Sequence, residues 1–202
     1  LRLVGGYTTQ GPLTVSVTVM GSVPRGQALL RTGAQVGDNV WVGNTLGDAA
    51  AGWAMLQGEL ASVWLPEFED QDWLTLRFNR PTPRFDLVLQ LRGHASACID
   101  ISDGLLADAG HIADASGVAI HIDADKIPLS SALMACPDRE LALRWALTGG
   151  DDYALLFTLP SGAAVPLGCT LIGEVRLGDG VHCDHSAAKS TVGGHLGYAH
   201  FH

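Results

Sequence analysis

The most constraining feature of the chain is the run Ala97-Cys98-Ile99-Asp100-Ile101, which passes through Ser102-Asp103-Gly104 directly into a helical pattern. An apolar run of this length with one acid reads as a strand. Leu105, Ala109, Ile112 and Ala113 then recur on one helical face, and Gly117 supplies a natural stop. A strand that turns straight into a helix sets Asp100, the Ser102 hydroxyl and Asp103 beside backbone N–H groups that lack an intrahelical partner. Paired carboxylates there suit Mg2+, which prefers oxygen ligands. The plainer reading of the same residues is an Asp capping the helix with a surface Asp nearby.

Around this feature, short strands and helices intermix without a strict strand–helix–strand rhythm. The fold class expected is therefore α+β with a mixed sheet. Residues 13–20 alternate, with Leu13, Val15, Val17 and Val19 apolar and Thr14, Ser16 and Thr18 polar, the pattern of a half-buried strand. Residues 21–37 are irregular and rich in Gly, and place a domain boundary near residue 24. Further strands are expected at residues 39–42, 118–123, 153–159, 171–176 and 181–183. Helices are expected at 49–56, with Asp48 as N-cap, and at 85–91, 130–135 and 140–147. Residues 64–72 are acidic and aromatic and read as surface. Gly149-Gly150-Asp151-Asp152-Tyr153 is a second turn joining glycines to acids. Paired glycines admit a ligand close to the backbone, and an acid there attracts a cation; the plain alternative is a left-handed turn before a strand.

Several function classes drop out. The net charge is −9 and apolar residues make up 47%, which argues against a general nucleic-acid binder and against disorder. No apolar run approaches the roughly 18 residues that signal a membrane span. Only two lysines occur, Lys126 and Lys189, and neither lies in a Gly-rich setting, so no phosphate-binding P-loop is present. No Ser sits in a G-x-S-x-G context. The four cysteines, Cys98, Cys136, Cys169 and Cys183, are widely spaced and read as free thiols in a reducing, cytoplasmic setting. His182-Cys183-Asp184-His185 carries metal-ligating residue types, but ligands on alternate faces of a strand rarely converge.

The ordered set of motifs carries more than any single one. Gly5-Gly6-Tyr7-Thr8-Thr9-Gln10-Gly11-Pro12-Leu13, Leu30-Arg31-Thr32-Gly33-Ala34 and Gly47-Asp48-Ala49-Ala50-Ala51-Gly52 stand first. Arg80-Pro81-Thr82-Pro83-Arg84, Ile99-Asp100-Ile101-Ser102-Asp103-Gly104-Leu105, Arg144-Trp145-Ala146-Leu147-Thr148-Gly149-Gly150-Asp151-Asp152-Tyr153 and Gly197-Tyr198-Ala199-His200-Phe201 follow. In this order they resemble the thiamine-monophosphate kinases of the aminoimidazole-ribonucleotide-synthase-like superfamily.

The resemblance implies that residues 1–24 are a remnant of an N-terminal ATP-binding domain, its last strand region. Residues 25–202 are then the C-terminal α/β domain, with a mixed sheet. It implies ATP as co-substrate, Mg2+, thiamine phosphate as substrate, and a homodimer when full length, with no nucleic-acid or membrane partner. The implied reaction is direct in-line transfer of the γ-phosphoryl group to thiamine phosphate. Asp100 and Asp103 match Mg2+ ligands, and Ser102 and Arg31 match ATP contacts. Gly6 and Tyr7 match a Gly-Asp pair at the nucleotide. Asp151 matches a substrate-binding acid that is usually Glu, and Tyr198 an aromatic substrate contact. Much of the family's metal-binding acid cluster belongs to a front part that this chain lacks, so the chain alone is expected to turn over little. The alternatives are another ATP-dependent enzyme of the superfamily and a non-catalytic ligand-binding domain.

Tyr7 departs from the pattern, because a neutral phenol is a poor Mg2+ ligand where a carboxylate is compact and charged. On this reading Tyr7→Asp, made in the complete gene product, lowers the Mg2+ concentration needed for half-maximal rate. A Mg2+ titration of initial rates checks it, and an unchanged midpoint counts against the role.

Overall fold

The computed structural model describes residues 5, 6, 8 and 10–189. Its elements in chain order are β1 (Asn39–Val42), α1 (Asp48–Leu56), α2 (Phe68–Asn79), α3 (Phe85–Leu91), β2 (Ala97–Ile101), α4 (Leu105–Ser116) and β3 (Ala119–Ile122). They continue with α5 (Ser131–Met134), α6 (Arg139–Thr148), β4 (Ala154–Leu159), β5 (Thr170–Arg176), β6 (Gly180–Cys183) and α7 (Ser186–Lys189). The strands form a six-stranded sheet in the order β2-β4-β1-β5-β3-β6. Neighbours run antiparallel except β3 and β6, which are parallel, so the expected mixed sheet is observed.

The sheet is covered on both faces, and β4 shows why. All six of its residues are buried. Ala154 and Leu156 face the main core with Leu105, Ile112 and Leu147, whereas Leu155, Phe157 and Leu159 pack with Leu87 and Leu91 of α3. Period-two alternation thus feeds two apolar layers from one strand, which is why its sequence is apolar throughout. A third cluster, Ala51, Leu74, Ala132 and Leu133, ties α1, α2 and α5 together beside the sheet.

Two expectations need correction and one needs an addition. Residues 13–20 form no strand; they pair with no strand among the described residues, and Val15 is 80% and Val17 81% exposed. The alternation is present, but no described part of the chain offers it a partner, and a lone strand is not stable in water. Second, residues 64–72 lie at the surface as expected, Pro66 apart, but from Phe68 they also open helix α2, which was not expected and whose later residues Leu74 and Arg77 are buried. Glu69 and Asp70 in the first turn suit the positive end of a helix, and the Gln71 side chain donates to the Pro66 carbonyl at 2.8 Å. Third, the N-cap of α1 is Gly47, and Asp48 is the first helical residue. Its carboxylate is drawn away from capping by Ser130 and Thr45, whose hydroxyls donate to it at 2.5 and 2.9 Å.

These packing differences set a stability contrast. Phe157→Ala removes a fully buried ring and is expected to lower the unfolding free energy by about 3–5 kcal/mol. Val17→Ser should change it by less than about 0.5 kcal/mol. Urea denaturation of the two variants tests this, and a comparable loss at Val17 would mean that residues 13–20 are packed.

Candidate functional site

The two turns singled out from the sequence meet. The Asp151 N–H donates to the Ser102 carbonyl at 2.9 Å and the Tyr153 N–H to the Ile101 carbonyl at 2.8 Å. These bonds carry the β2–β4 pairing past the ends of both strands. A side chain at position 150 would collide with the Ser102 carbonyl. At Gly104, where φ is 114°, a Cβ would meet the Thr148 carbonyl at 2.8 Å. The turns approach this closely only because both positions are glycine.

Asp108 secures the first turn from below. It lies in the first turn of α4 and is buried. Its carboxylate accepts the Ser102 N–H at 2.9 Å and the Asp103 N–H at 3.0 Å. Burial pushes its carboxyl above the usual range, these two N–H groups oppose the rise, and the Asp103 charge adds to it. The ligand-type atoms of Asp103, Asp108 and His111 lie within 4.8 Å of one another. The sequence reading missed Asp108 and His111. The available signal was an acid in the first turn of a helix with a His one turn on.

Three of the acids singled out from the sequence share one neighbourhood. Asp151 is exposed at the rim, with φ 65°, and accepts a hydrogen bond from the Tyr153 hydroxyl at 3.2 Å. The Tyr153 phenol is pushed up by burial first and then by the negative charges of Asp151, Asp100 and Asp103. Asp100 is exposed at the end of β2, and Ser102 and Asp103 are half-buried in the turn. Carboxylate oxygens of this kind are a fitting donor set for Mg2+. Beside them opens a cleft of about 490 Å3 lined by Trp53, Phe78, Trp145, Gly150, Asp151 and Ser102, among others. The Trp53 and Phe78 rings lie 5.3 Å apart at 38°. Trp53, Phe78 and Trp145 come from three different helices, α1, α2 and α6, and no local pattern announces their meeting.

Other candidates lie elsewhere. Arg31 runs along the free edge of β2, where the Leu30 carbonyl accepts the Cys98 N–H at 2.7 Å. No hydrogen bond or ion pair among the described residues joins Arg31 to the acids. Gly6 is exposed, with nothing within 4 Å of where a Cβ would stand. Tyr7 and Tyr198 fall outside the described residues. His182 stacks on His121 with centroids 4.5 Å apart, and its Nε2 lies 3.0 Å from the Asp179 carbonyl, while His185 accepts the Ala187 N–H. All four cysteines are free. Among the described residues no helix is long and apolar enough to cross a membrane.

Behind the rim lies a buried ionic cluster that the sequence did not suggest. Asp48 is 0%, Asp152 1% and Arg77 5% exposed. Arg77 Nε stands 3.6 Å from Asp48 Oδ2, and its Nη2 3.9 Å from Asp152 Oδ1. The Asp152 carboxylate also accepts the Gly47 N–H at 2.6 Å and the Ala49 N–H at 3.4 Å.

Residues 35–165 match the family described as AIR synthase related protein, C-terminal domain, and the chain belongs to that family. It is 48% identical over 160 residues to the thiamine-monophosphate kinase of Salmonella typhimurium, covering 79% of this chain and 48% of that protein. The solved thiamine-monophosphate kinase from Stenotrophomonas maltophilia K279a superposes with a TM-score of 0.73 at 47% identity, covering 82% of this chain and 56% of that one. A structure described as AaThiL complexed with AMPPCP and TMP also gives 0.73, at 39% identity over 86% of this chain and 54% of that one. The chain thus spans about half the length of the curated relatives it matches.

The buried cluster makes stability depend on pH. Burial raises the Asp152 carboxyl to about 7; the Gly47 N–H and Arg77 oppose the rise and the Asp48 charge adds to it. An unfolded Asp titrates near 3.9. Between about pH 4 and 7 the folded chain therefore holds a proton that the unfolded chain has lost. Stability falls as pH rises through this window, by at most about 1.4 kcal/mol per pH unit from this group. Urea midpoints across the window should fall less steeply in Asp152→Asn than in the wild type. Equal slopes would show that Asp152 is ionised throughout.

Proposed function

We propose that the chain is the C-terminal domain of a thiamine-monophosphate kinase, which transfers the γ-phosphoryl group of ATP to thiamine monophosphate. The observation that carries this reading is the joining of the 102–104 and 149–153 turns, which brings Asp103, beside Asp108 and His111, and Asp151, bonded to the Tyr153 hydroxyl, to one end of the sheet next to a cleft walled by Trp53, Phe78 and Trp145. A flat cationic heterocycle such as thiamine suits aromatic walls with an acid at the rim. The names of the similar proteins support the same reading.

The two acceptor-bearing turns divide the work. Asp100 and Asp103 would hold Mg2+, which when bound neutralises phosphate charge during transfer. Ser102 offers its hydroxyl to the nucleotide between them. Asp151 and the cleft orient the thiamine so that its phosphate points toward the 102–104 turn. Catalysis of this type rests on alignment and charge, not on a protein nucleophile. Arg31, Gly6 and Tyr7 would meet the nucleotide in the complete protein, and Tyr198 the substrate. Residues 1–24 would belong to a separate ATP-binding domain in a homodimer. The exposed apolar alternation at residues 13–20 supports this, since such an edge wants a partner.

The test is turnover by the complete gene product with ATP, Mg2+ and thiamine monophosphate, read as thiamine diphosphate formed. Asp100→Asn and Asp103→Asn should each cost about 100-fold or more at limiting Mg2+. A complete protein that hydrolyses or transfers from ATP but ignores thiamine monophosphate would instead mark another enzyme of the superfamily.

A further inference from the structure

We propose that Asp152 is a positioning residue: its buried carboxylate, plugged into the start of α1 and gripped by Arg77, fixes the neighbouring Asp151 carboxylate at the rim of the cleft. What Asp151 does there rests on the proposed function; how it is held does not.

The argument begins with the backbone. Asp151 and Tyr153 both adopt positive φ, 65° and 48°, without being glycine. L side chains resist that conformation, and it persists only where the surroundings over-determine it. Asp152 lies between them and points the opposite way. Residues 151 and 153 are exposed and 152 is buried. Arg77 grips Asp152 twice, donating to its carbonyl at 3.2 Å and facing its carboxylate at 3.9 Å. The carboxylate meanwhile accepts the Gly47 and Ala49 N–H groups of the α1 start. Arg77 is braced in turn by Asp48, to which the Ser130 and Thr45 hydroxyls donate. The anchor therefore joins α1, α2, the start of α5 and the entry to β4.

Cohesion alone does not call for this arrangement. Three charged groups in a dry interior usually stabilise no better than apolar residues of equal volume, whereas fixing a register is a well-attested use of such clusters. The register fixed here is that of the 149–153 turn. Were the Asp152 carboxylate released, the turn would keep its backbone bonds to Arg77 and to the end of β2 but lose its tie to the start of α1. That tie is what sets Asp151 and Tyr153 at positive φ, and without it the Asp151 carboxylate would leave its place beside Tyr153.

A double-mutant cycle in the complete gene product tests this. Asp152→Asn should raise KM for thiamine monophosphate about tenfold and leave KM for ATP within about twofold. Added to Asp151→Asn it should do little more, because both act through one carboxylate. Additive effects, or equal rises in both KM values, would overturn the proposal. Hydrogen exchange supplies a readout without turnover. In Asp152→Asn the Asp151 and Tyr153 amides should exchange about tenfold faster while Leu156 in mid-strand is unchanged. Uniform acceleration along β4 would mean a general loss of stability and would refute positioning. If Asp152→Asn does not fold, Arg77→Lys, which keeps one charge but cannot grip twice, is read the same way. If Asp151→Asn leaves KM for thiamine monophosphate unchanged, the substrate reading fails and the exchange pattern alone decides the positioning.

Discussion

Strand β4 is buried on both faces, and the rest of the domain is arranged around that constraint. A strand covered twice needs a layer on each side, which α4 and α6 supply on one face and α3 on the other. It also needs both backbone edges paired, which β1 and β2 supply. The β2–β4 ladder does not stop at the last paired residues, Ile101 and Ala154, because the Asp151 and Tyr153 N–H groups continue bonding to the β2 end. The site is the place where a fully satisfied interior strand reaches the surface. Its acids inherit the rigidity of the sheet without being buried by it.

What the sequence made legible follows from this geometry. The strand-to-helix turn at residues 102–104 and the glycine–acid turn at 149–153 are local signals, since each is set by residues adjacent in the chain. That the two touch is a property of strand order, which periodicity does not carry. Helix α2 was hidden for a different reason. It presents only Leu74 and Arg77 to the interior, and a helix with so narrow a buried stripe reads as surface. The partnership of Asp48, Arg77 and Asp152 was hidden because Asp48 has the composition of a cap. Only the neighbouring Ser130 and Thr45 hydroxyls reveal that its carboxylate points inward. Residues 13–20 failed in the opposite direction. Their alternation is a true strand signal, but a strand signal states a capacity to pair and not the presence of a partner.

Aspartates 151 and 152 show how neighbouring residues of one type take opposite roles. The left-handed backbone at Asp151 and Tyr153 turns one outward and leaves the residue between them facing inward. The inward carboxyl faces a guanidinium and two N–H groups, and its bonds are all made inside the protein. The outward one accepts the Tyr153 hydroxyl and leaves its charge facing water. A rim of carboxylates repels a bare phosphate, because like charges at a few Å in a partly desolvated cleft interact far more strongly than in bulk water. Such a rim accepts a phosphate only when cations intervene, and it welcomes a cationic ring directly. Acids at the rim and aromatic walls beside them therefore favour a cationic ring over a bare anion on purely electrostatic grounds.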